Sequence, residues 1–371
     1  MTREEVKPYI DNLITGILSP AKWLYSVGVW FHNWLYDSNI KKQYSFDVPV
    51  ITVGNITVGG TGKTPHVEYL IEALSEKYNI AVLSRGYKRK TKGFILASAV
   101  STPEQIGDEP YQIFKKYGSK IKLAVSADRK RAVERIMRLF PETNLIILDD
   151  GYQYRKIKPL LSILLLDSNR PIDKDTLLPI GRLREPQHAT DRADMIVITK
   201  CPEVMSPIEY RTMSKSINLL NFQKLFFSSV SYKNLRPVFE ENSPFYFGLD
   251  TLTENDSVIL VTGIAHPRGL VKHFKKYPCK LKVMRFPDHH DFTRKDINAI
   301  KHAYININGK RKIIVTTEKD AVRMLHNPYF PYKLKPHVYY LPIKVTMHNG
   351  FDSDILEDEI EKAIQKRHIS Q

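Results

Sequence analysis

Between residues 48 and 199, short apolar runs alternate with longer stretches whose apolar positions recur at helical spacing. The runs 48–53 (VPVITV), 80–84 (IAVLS), 121–126 (IKLAVS), 145–149 (LIILD), 163–167 (ILLLD) and 195–199 (MIVIT) predict buried strands. The stretch 64–77 sets Val67, Leu70, Ile71 and Leu74 on one face and predicts a helix, with further helical stretches near 109–117 and 128–140. This alternation predicts an α/β domain built on a doubly wound, mostly parallel sheet. A second set follows: 257–263 (SVILVTG), an amphipathic stretch at 268–276, 281–286 (LKVMRF), a helical pattern from 293, 312–317 (KIIVTT) and 338–343 (VYYLPI). It predicts a second, smaller α/β domain. Residues 229–250, with Pro237, Pro244 and Gly248, have weaker periodicity and read as a crossing between lobes. The expected boundaries are 1–43 for an N-terminal segment, 44–228 for the larger domain, 229–256 for a linker and 257–371 for the smaller domain.

The N-terminal segment breaks the pattern. From Ile14 to Tyr36 the only formal charge is Lys22, and Trp23, Trp30 and Trp34, all the tryptophans of the chain, lie there. A signal peptide is disfavoured because the basic leader is poor and no small-residue cleavage site follows. A spanning helix is disfavoured because Pro20, Lys22, His32 and Asn33 interrupt the run of about 20 apolar residues that it requires. Two readings stay open: a membrane-interfacial helical segment with tryptophans at headgroup depth, and a helix pair packed on the domain.

The formal charge of +16 over 371 residues implies an anionic partner, whether nucleic acid, membrane surface or phosphorylated substrate. Cys201 and Cys279 are far apart and lack the spacing of a zinc site or disulfide framework, which implies a reducing compartment. No aromatic-rich recognition motif or helix-turn-helix signature supports nucleic-acid binding, and no obligate protein partner is inferred.

Residues 53–65 read VGNITVGGTGKTP. They match the end of the phosphate-loop pattern at Gly62, Lys63 and Thr64, with Thr57 where its first glycine would stand. Gly59, Gly60, Thr61 and Gly62 would turn backbone N–H groups to an anion, Lys63 would reach the β- and γ-phosphates, and Thr64 would ligate Mg²⁺. The segment 145–153 (LIILDDGYQ) supplies Asp149 and Asp150 at a strand end, as a Walker-B arrangement requires, although an Asp-Gly turn explains the same residues. Guanine signatures fail: 199–202 (TKCP) lacks the aspartate and 317–320 (TEKD) has the wrong spacing, so ATP is expected. Asp108 precedes an amphipathic stretch and reads from local pattern as a helix N-cap. The run 286–292 (FPDHHDF) reads as a polar loop or, less well, as a metal site, because the i, i+4 ligand spacing is absent.

Taken together, the P-loop run, 83–87 (LSRGY), 107–110 (GDEP), 127–129 (ADR), 148–153 (LDDGYQ), 181–186 (GRLREP), 263–267 (GIAHP), 286–292 and 316–320 (TTEKD) resemble the tetraacyldisaccharide 4'-kinase (lipid A 4'-kinase) family over nearly the whole chain. That family's loop is written with the form seen here, which accounts for Thr57. The resemblance implies a P-loop NTPase-like kinase that transfers the ATP γ-phosphoryl to the 4'-hydroxyl of a tetraacyldisaccharide 1-phosphate, a lipid A precursor, using Mg²⁺. The implied setting is the cytoplasmic face of the bacterial inner membrane, with the protein peripheral or monotopic and its partners a phosphorylated glycolipid and the membrane surface.

By the same resemblance, Asp108 is the catalytic base and His289 pairs with it. Arg129 and Arg184 contact phosphate; Glu185, beside Arg184, assists Asp149, Asp150 and Thr64 with the metal. The basic stretch 87–93 (YKRKTKG) is either a lipid-phosphate contact or a solvated turn, and the role of 316–320 is not derivable from the sequence. One departure stands out: the family commonly continues its Walker-B segment Phe-Gln-His, whereas this chain has Tyr152-Gln153-Tyr154. With Asp108 assigned to the larger domain and His289 to the smaller, lobe closure around substrate is the expected way of joining them. The alternative is a P-loop switch or maturation factor of the regulatory ATPase/GTPase type, but its signature lysine position holds Val58. A third reading, a membrane-bound interaction protein, leaves Asp108 and His289 without a task.

Overall fold

The computed structural model describes residues 3–243, 248–265, 267–288, 290–348 and 355–369, with side chains described from residue 16 to residue 367. The chain divides into two units. The first comprises residues 1–85, 120–230 and 346–371; the second comprises 86–119 and 231–345.

The first unit carries a parallel sheet in which neighbours run in the order Lys224–Tyr232, Met195–Cys201, Leu161–Asp167, Val50–Gly54, Leu145–Asp149, Ile80–Ser84 and Lys122–Val125. Val50, Ile51 and Val53 are buried, as are Leu145 to Leu148, which is why these strands read as continuous apolar runs rather than as alternation. Strand Val50–Gly54 lies between Leu145–Asp149 and Leu161–Asp167, with Val53 level with Asp149 and Ile163. The residues after Gly54 and after Asp149 therefore leave the sheet side by side at its carboxyl edge, where ligands of such sheets bind.

The second unit holds a five-stranded sheet, in the order Lys280–Arg285, Ser257–Thr262, Lys312–Thr317, Val338–Leu341 and Arg236–Pro237. The last strand is antiparallel and the others are parallel. Its core gathers Ile259, Val261, Ile297, Ile300, Ile314 and Met324 on one side and Val258, Leu260, Phe274 and Val315 on the other.

This division departs from the contiguous boundaries expected above. Residues 229–256 are not a plain linker: Leu235, Val238, Phe239, Leu249 and Leu252 are buried in the core of the second unit. Residues 346–371 belong to the first unit, where helix Leu356–Ile369 buries Leu356, Ile360 and Ile364 and Tyr69 donates to Glu357. Strand Lys224–Tyr232 escapes a hydrophobicity scan because Ser228 and Ser229, both buried, dilute its apolar run.

The N-terminal segment is one helix, Arg3–Asp37, that passes through Pro20 rather than breaking into a pair. Its Tyr25 donates to the carbonyl of Arg184 at 2.8 Å and its Asn33 to Glu185 at 3.2 Å. At about 100° per residue, Trp23, Leu24, Val27, Trp30, Phe31 and Trp34 lie on the opposite side, and all are exposed. No helix among the described residues is long and apolar enough to cross a membrane.

Candidate active site

The glycine-rich run is a turn between strand Val50–Gly54 and helix Lys63–Leu74. Gly59 at φ 105° and Gly62 at φ 92° occupy the left-handed region that side chains disfavour. Within the turn Asn55 Nδ2 donates to Thr61 Oγ1 at 2.8 Å and Lys63 Nζ to Asn55 Oδ1 at 3.4 Å. Thr57 forms an isolated bridge with Leu183, and Val58 N donates to Arg182 O at 2.8 Å, so the position of the missing glycine is braced by the segment carrying Arg184 and Glu185.

Three successive carbonyls of the loop are held by side chains outside it. Lys200 Nζ donates to Gly60 O, Thr199 Oγ1 donates to Thr61 O at 2.9 Å, and His66 Nδ1 lies 2.7 Å from Gly62 O. Burial pushes the His66 imidazole down to about 4, so the ring is neutral near pH 7. Its Nδ1–H therefore donates to Gly62 O, while Nε2 accepts from the Ser228 hydroxyl 2.9 Å away. Because each peptide is planar with its C=O and N–H opposed, fixing the carbonyls of Thr61 and Gly62 aims the N–H groups of Gly62 and Lys63 the other way, toward an anion. Thr199→Val keeps the volume and removes the hydroxyl, and is expected to weaken nucleoside triphosphate binding by about tenfold. Calorimetric titration checks this; unchanged affinity would show that the loop keeps its shape unaided.

Beside the loop, Asp150 adopts φ 52° and turns the chain into Gly151, where an added Cβ would come within 2.9 Å of the Leu148 side chain. Asp150 Oδ1 lies 3.4 Å from Lys63 Nζ and 3.6 Å from Arg184 Nη1. Burial alone would push this carboxyl up, but Lys63, Arg184 and Arg129 outweigh it and hold the group below the usual carboxylate range. Asp149 is buried and accepts from Ser84 Oγ at 2.9 Å.

Arg129, expected to meet phosphate, is only 4% exposed and grips the turn itself. Its Nη2 donates to Asp150 O at 3.0 Å, and its guanidinium lies over the Tyr154 ring at 5.3 Å. Arg184 is the more exposed of the two arginines and donates to Gln153 Oε1 at 3.5 Å. Glu185 is buried with both oxygens engaged: Oε1 accepts from Gln153 at 2.9 Å, and Oε2 accepts from Asn33 at 3.2 Å and Arg192 at 2.7 Å. It ties the N-terminal helix to the Walker-B turn through protein contacts, a part that the expected metal role did not foresee.

In the second unit, Gly107 and not Asp108 is the N-cap of helix Asp108–Tyr117. Gly107 sits at φ 95°, with an added Cβ 3.1 Å from Tyr87 O, so the cap position demands glycine. Asp108, one residue further on, accepts from Arg323 Nε at 2.9 Å and from its Nη2. Arg323 Nη1 also donates to His290 O at 3.2 Å. His289 lies outside the described residues; its neighbour His290 bonds Asp296 at 2.9 Å. Asp108 and the segment flanking residue 289 share one unit, so interlobe closure is not what joins them.

A profile of the family described as tetraacyldisaccharide-1-P 4'-kinase matches residues 14–364. This chain belongs to the tetraacyldisaccharide 4'-kinase family. The relative from Parabacteroides distasonis carrying that name is 46% identical over 358 residues, covering 95% of this chain and 94% of its own. The one from Phocaeicola vulgatus is 44% identical over 330 residues, covering 88% and 89%. Among solved structures, the "apo" form LpxK from Aquifex aeolicus in complex with ATP aligns with a TM-score of 0.71 at 29% identity, covering 95% of this chain and 99% of that one.

Membership in the 4'-kinase family favours the kinase reading over the regulatory switch. Tyr154 is the departure from the expected Walker-B segment noted in the sequence. Tyr154 donates to Asp128 Oδ1 at 3.1 Å, accepts from Lys130 N at 3.2 Å and offers its ring to Arg129, so in this 4'-kinase the position braces the Walker-B turn. Sequence reasoning missed Thr199, Lys200, His66 and Arg323 as parts of the site. Thr199 and Lys200 were visible only as a failed guanine motif, and no local spacing marks His66 or Arg323.

Proposed function

We propose that this chain transfers the γ-phosphoryl group of ATP to the 4'-hydroxyl of a tetraacyldisaccharide 1-phosphate, in the lipid A biosynthetic step of its family. The observation that carries the reading is the carboxyl edge of the first sheet, where Gly59 to Thr64, Asp149, Asp150 and Arg184 assemble around the Lys63–Asp150 pair. Phosphoryl transfer requires a held triphosphate, neutralised oxygens and a base for the attacking hydroxyl.

The N–H groups of Gly62 and Lys63 and the Lys63 ammonium hold the phosphate tail, and Arg184 meets charge that grows on its oxygens. Asp108 takes the 4'-hydroxyl proton as the new O–P bond forms and the bond to ADP breaks; His289 supports it. The donor set fits Mg²⁺: Thr64 offers a hydroxyl, Asp149 a carboxylate, and Asp150 Oδ1 is buried, accepts no hydrogen bond and faces cations. Magnesium, when bound with ATP, supplies charge neutralisation on the phosphates. Glu185 orients this set through Gln153.

Incubation with γ-labelled ATP, Mg²⁺ and disaccharide 1-phosphate lipid in detergent micelles tests the reading. Label is expected in the lipid fraction, lost with EDTA and restored by Mg²⁺. Folded protein that leaves the lipid unlabelled contradicts it.

The exposed apolar side of helix Arg3–Asp37 supports, as part of this reading, a peripheral or monotopic protein at the cytoplasmic face of the bacterial inner membrane that meets its substrate in the bilayer. The net charge of +16 favours that anionic surface. The double variant Trp23→Glu, Trp30→Glu is expected to lower co-sedimentation with anionic vesicles by about tenfold or more while turnover on micellar substrate persists. Undiminished vesicle binding would reject the interfacial role.

A further inference from the structure

The TTEKD motif has no place in nucleotide binding or in the base assignment, yet it opens the helix that carries Arg323 to Asp108. Thr317 caps helix Glu318–Leu325, accepting from Asp320 N at 3.2 Å. Asp320 is fully buried and accepts from Gly263 N and Thr317 Oγ1, each at 2.8 Å, which fixes the start of the helix to the carboxyl end of strand Ser257–Thr262. From this anchored start the helix projects two cations one turn apart on the same face, Lys319 and Arg323. Lys319 lies 3.0 Å from Glu109 and 3.8 Å from Asp288. Arg323 is bonded to Asp108 and to the carbonyl of His290.

Thus each cation touches the first turn of helix Asp108–Tyr117 and also the loop around residue 289. Glu318 adds a third tie, to Lys116 at 2.6 Å in the last turn of that helix. The Arg323 side chain is only 8% exposed, and Nε and Nη2 both reach Asp108 Oδ2 while Nη1 reaches the loop. A guanidinium suits this task because its donors are fixed in one plane; an ammonium on a flexible stem would set distance but not orientation.

We propose that Arg323 is a positioning residue for the phosphoryl-transfer reaction, splinting the Asp108 carboxylate to the backbone of His290 so that the base is held in one orientation for the attacking hydroxyl. Helix Glu318–Leu325 is the splint, and the TTEKD motif fixes where it starts. The inference rests on Asp108 being the base. Without Arg323 the carboxylate samples its rotamers, and the fraction aligned for proton transfer falls, which lowers turnover and leaves nucleotide binding in the other unit alone.

The test is a double-mutant cycle on the full chain, with kcat and the KM for ATP measured for Arg323→Ala, Asp108→Asn and the pair. Arg323→Ala is expected to lower kcat by about 10²-fold with the KM for ATP changed less than about twofold, and millimolar methylguanidinium is expected to restore part of the loss. In the Asp108→Asn background the same substitution is expected to change kcat no further. Arg323→Lys, which keeps the charge and guards against a folding defect in the alanine variant, is expected to show an intermediate kcat at an unchanged melting temperature. Unchanged kcat in Arg323→Ala, or an equal loss in both backgrounds, overturns the proposal and leaves the base assignment standing. Asp108→Asn with undiminished kcat overturns the base assignment itself, and the positioning role falls with it.

Discussion

Asp108→Asn should lower kcat by about 10³-fold while leaving the KM for ATP within about twofold of the parent. The substitution keeps the size of the side chain and one oxygen able to accept from Arg323, so the contacts at the head of helix Asp108–Tyr117 survive in part. It removes the ability to take a proton from the 4'-hydroxyl. Because Gly107 holds the N-cap, the helix keeps its cap residue when the Asp108 charge goes. A capping role would instead show as a lowered melting temperature, with turnover falling only as far as folded protein is lost. Steady-state kinetics beside a thermal melt separates the two, and a variant that melts early but turns over normally per folded molecule would remove Asp108 from the chemistry.

Lys63→Met is the complementary experiment, and it should fail in a different way. Here kcat/KM for ATP should fall by about 10³-fold, with weaker nucleotide binding contributing alongside slower transfer. Methionine fills much of the lysine volume, so helix Lys63–Leu74 retains its packing while the phosphate tail loses its ammonium. The effect reaches further than one lost contact. Lys63 is foremost among the cations that outweigh burial at Asp150, and without it that carboxylate is left to Arg184 and Arg129. Metal affinity should therefore change along with nucleotide affinity, measurable as a shifted Mg²⁺ dependence of turnover. A variant with normal ATP affinity and a normal Mg²⁺ profile would mean that the ammonium does not face the triphosphate.

Why parts of this molecule were legible in the sequence and others were not follows from where the information lies. The strands of the first sheet are buried on both faces, so Ile80–Ser84 and Leu145–Asp149 stand out as apolar runs ending in polar residues, and their boundaries match the structure. The P-loop and Walker-B residues sit next to one another in space because they follow neighbouring strands, a relation that the strand-loop-helix order already implies. Residues 86–119 were assigned to the wrong unit because contiguity is the only guide that a linear pattern offers. The chain leaves the first unit at Arg85 and returns at Lys120 without a long linker to mark either point.

Asp108 read locally as a cap because Asp followed by Glu-Pro is what a cap looks like; the left-handed glycine before it takes that place instead. Arg323 left no signal and Thr199 none of its bracing role, since each acts on a residue more than a hundred positions away and looks locally like an ordinary helix or strand position.

The central claim, that a P-loop kinase here phosphorylates a sugar hydroxyl, is met most directly by phosphorus–proton correlation NMR of the lipid recovered after reaction with Mg-ATP. The account predicts two phosphate monoesters in the product, the new one correlating with the proton on carbon 4' of the distal glucosamine. ATP consumed with only the original 1-phosphate signal remaining, or a new signal of a diphosphate at position 1, would contradict it.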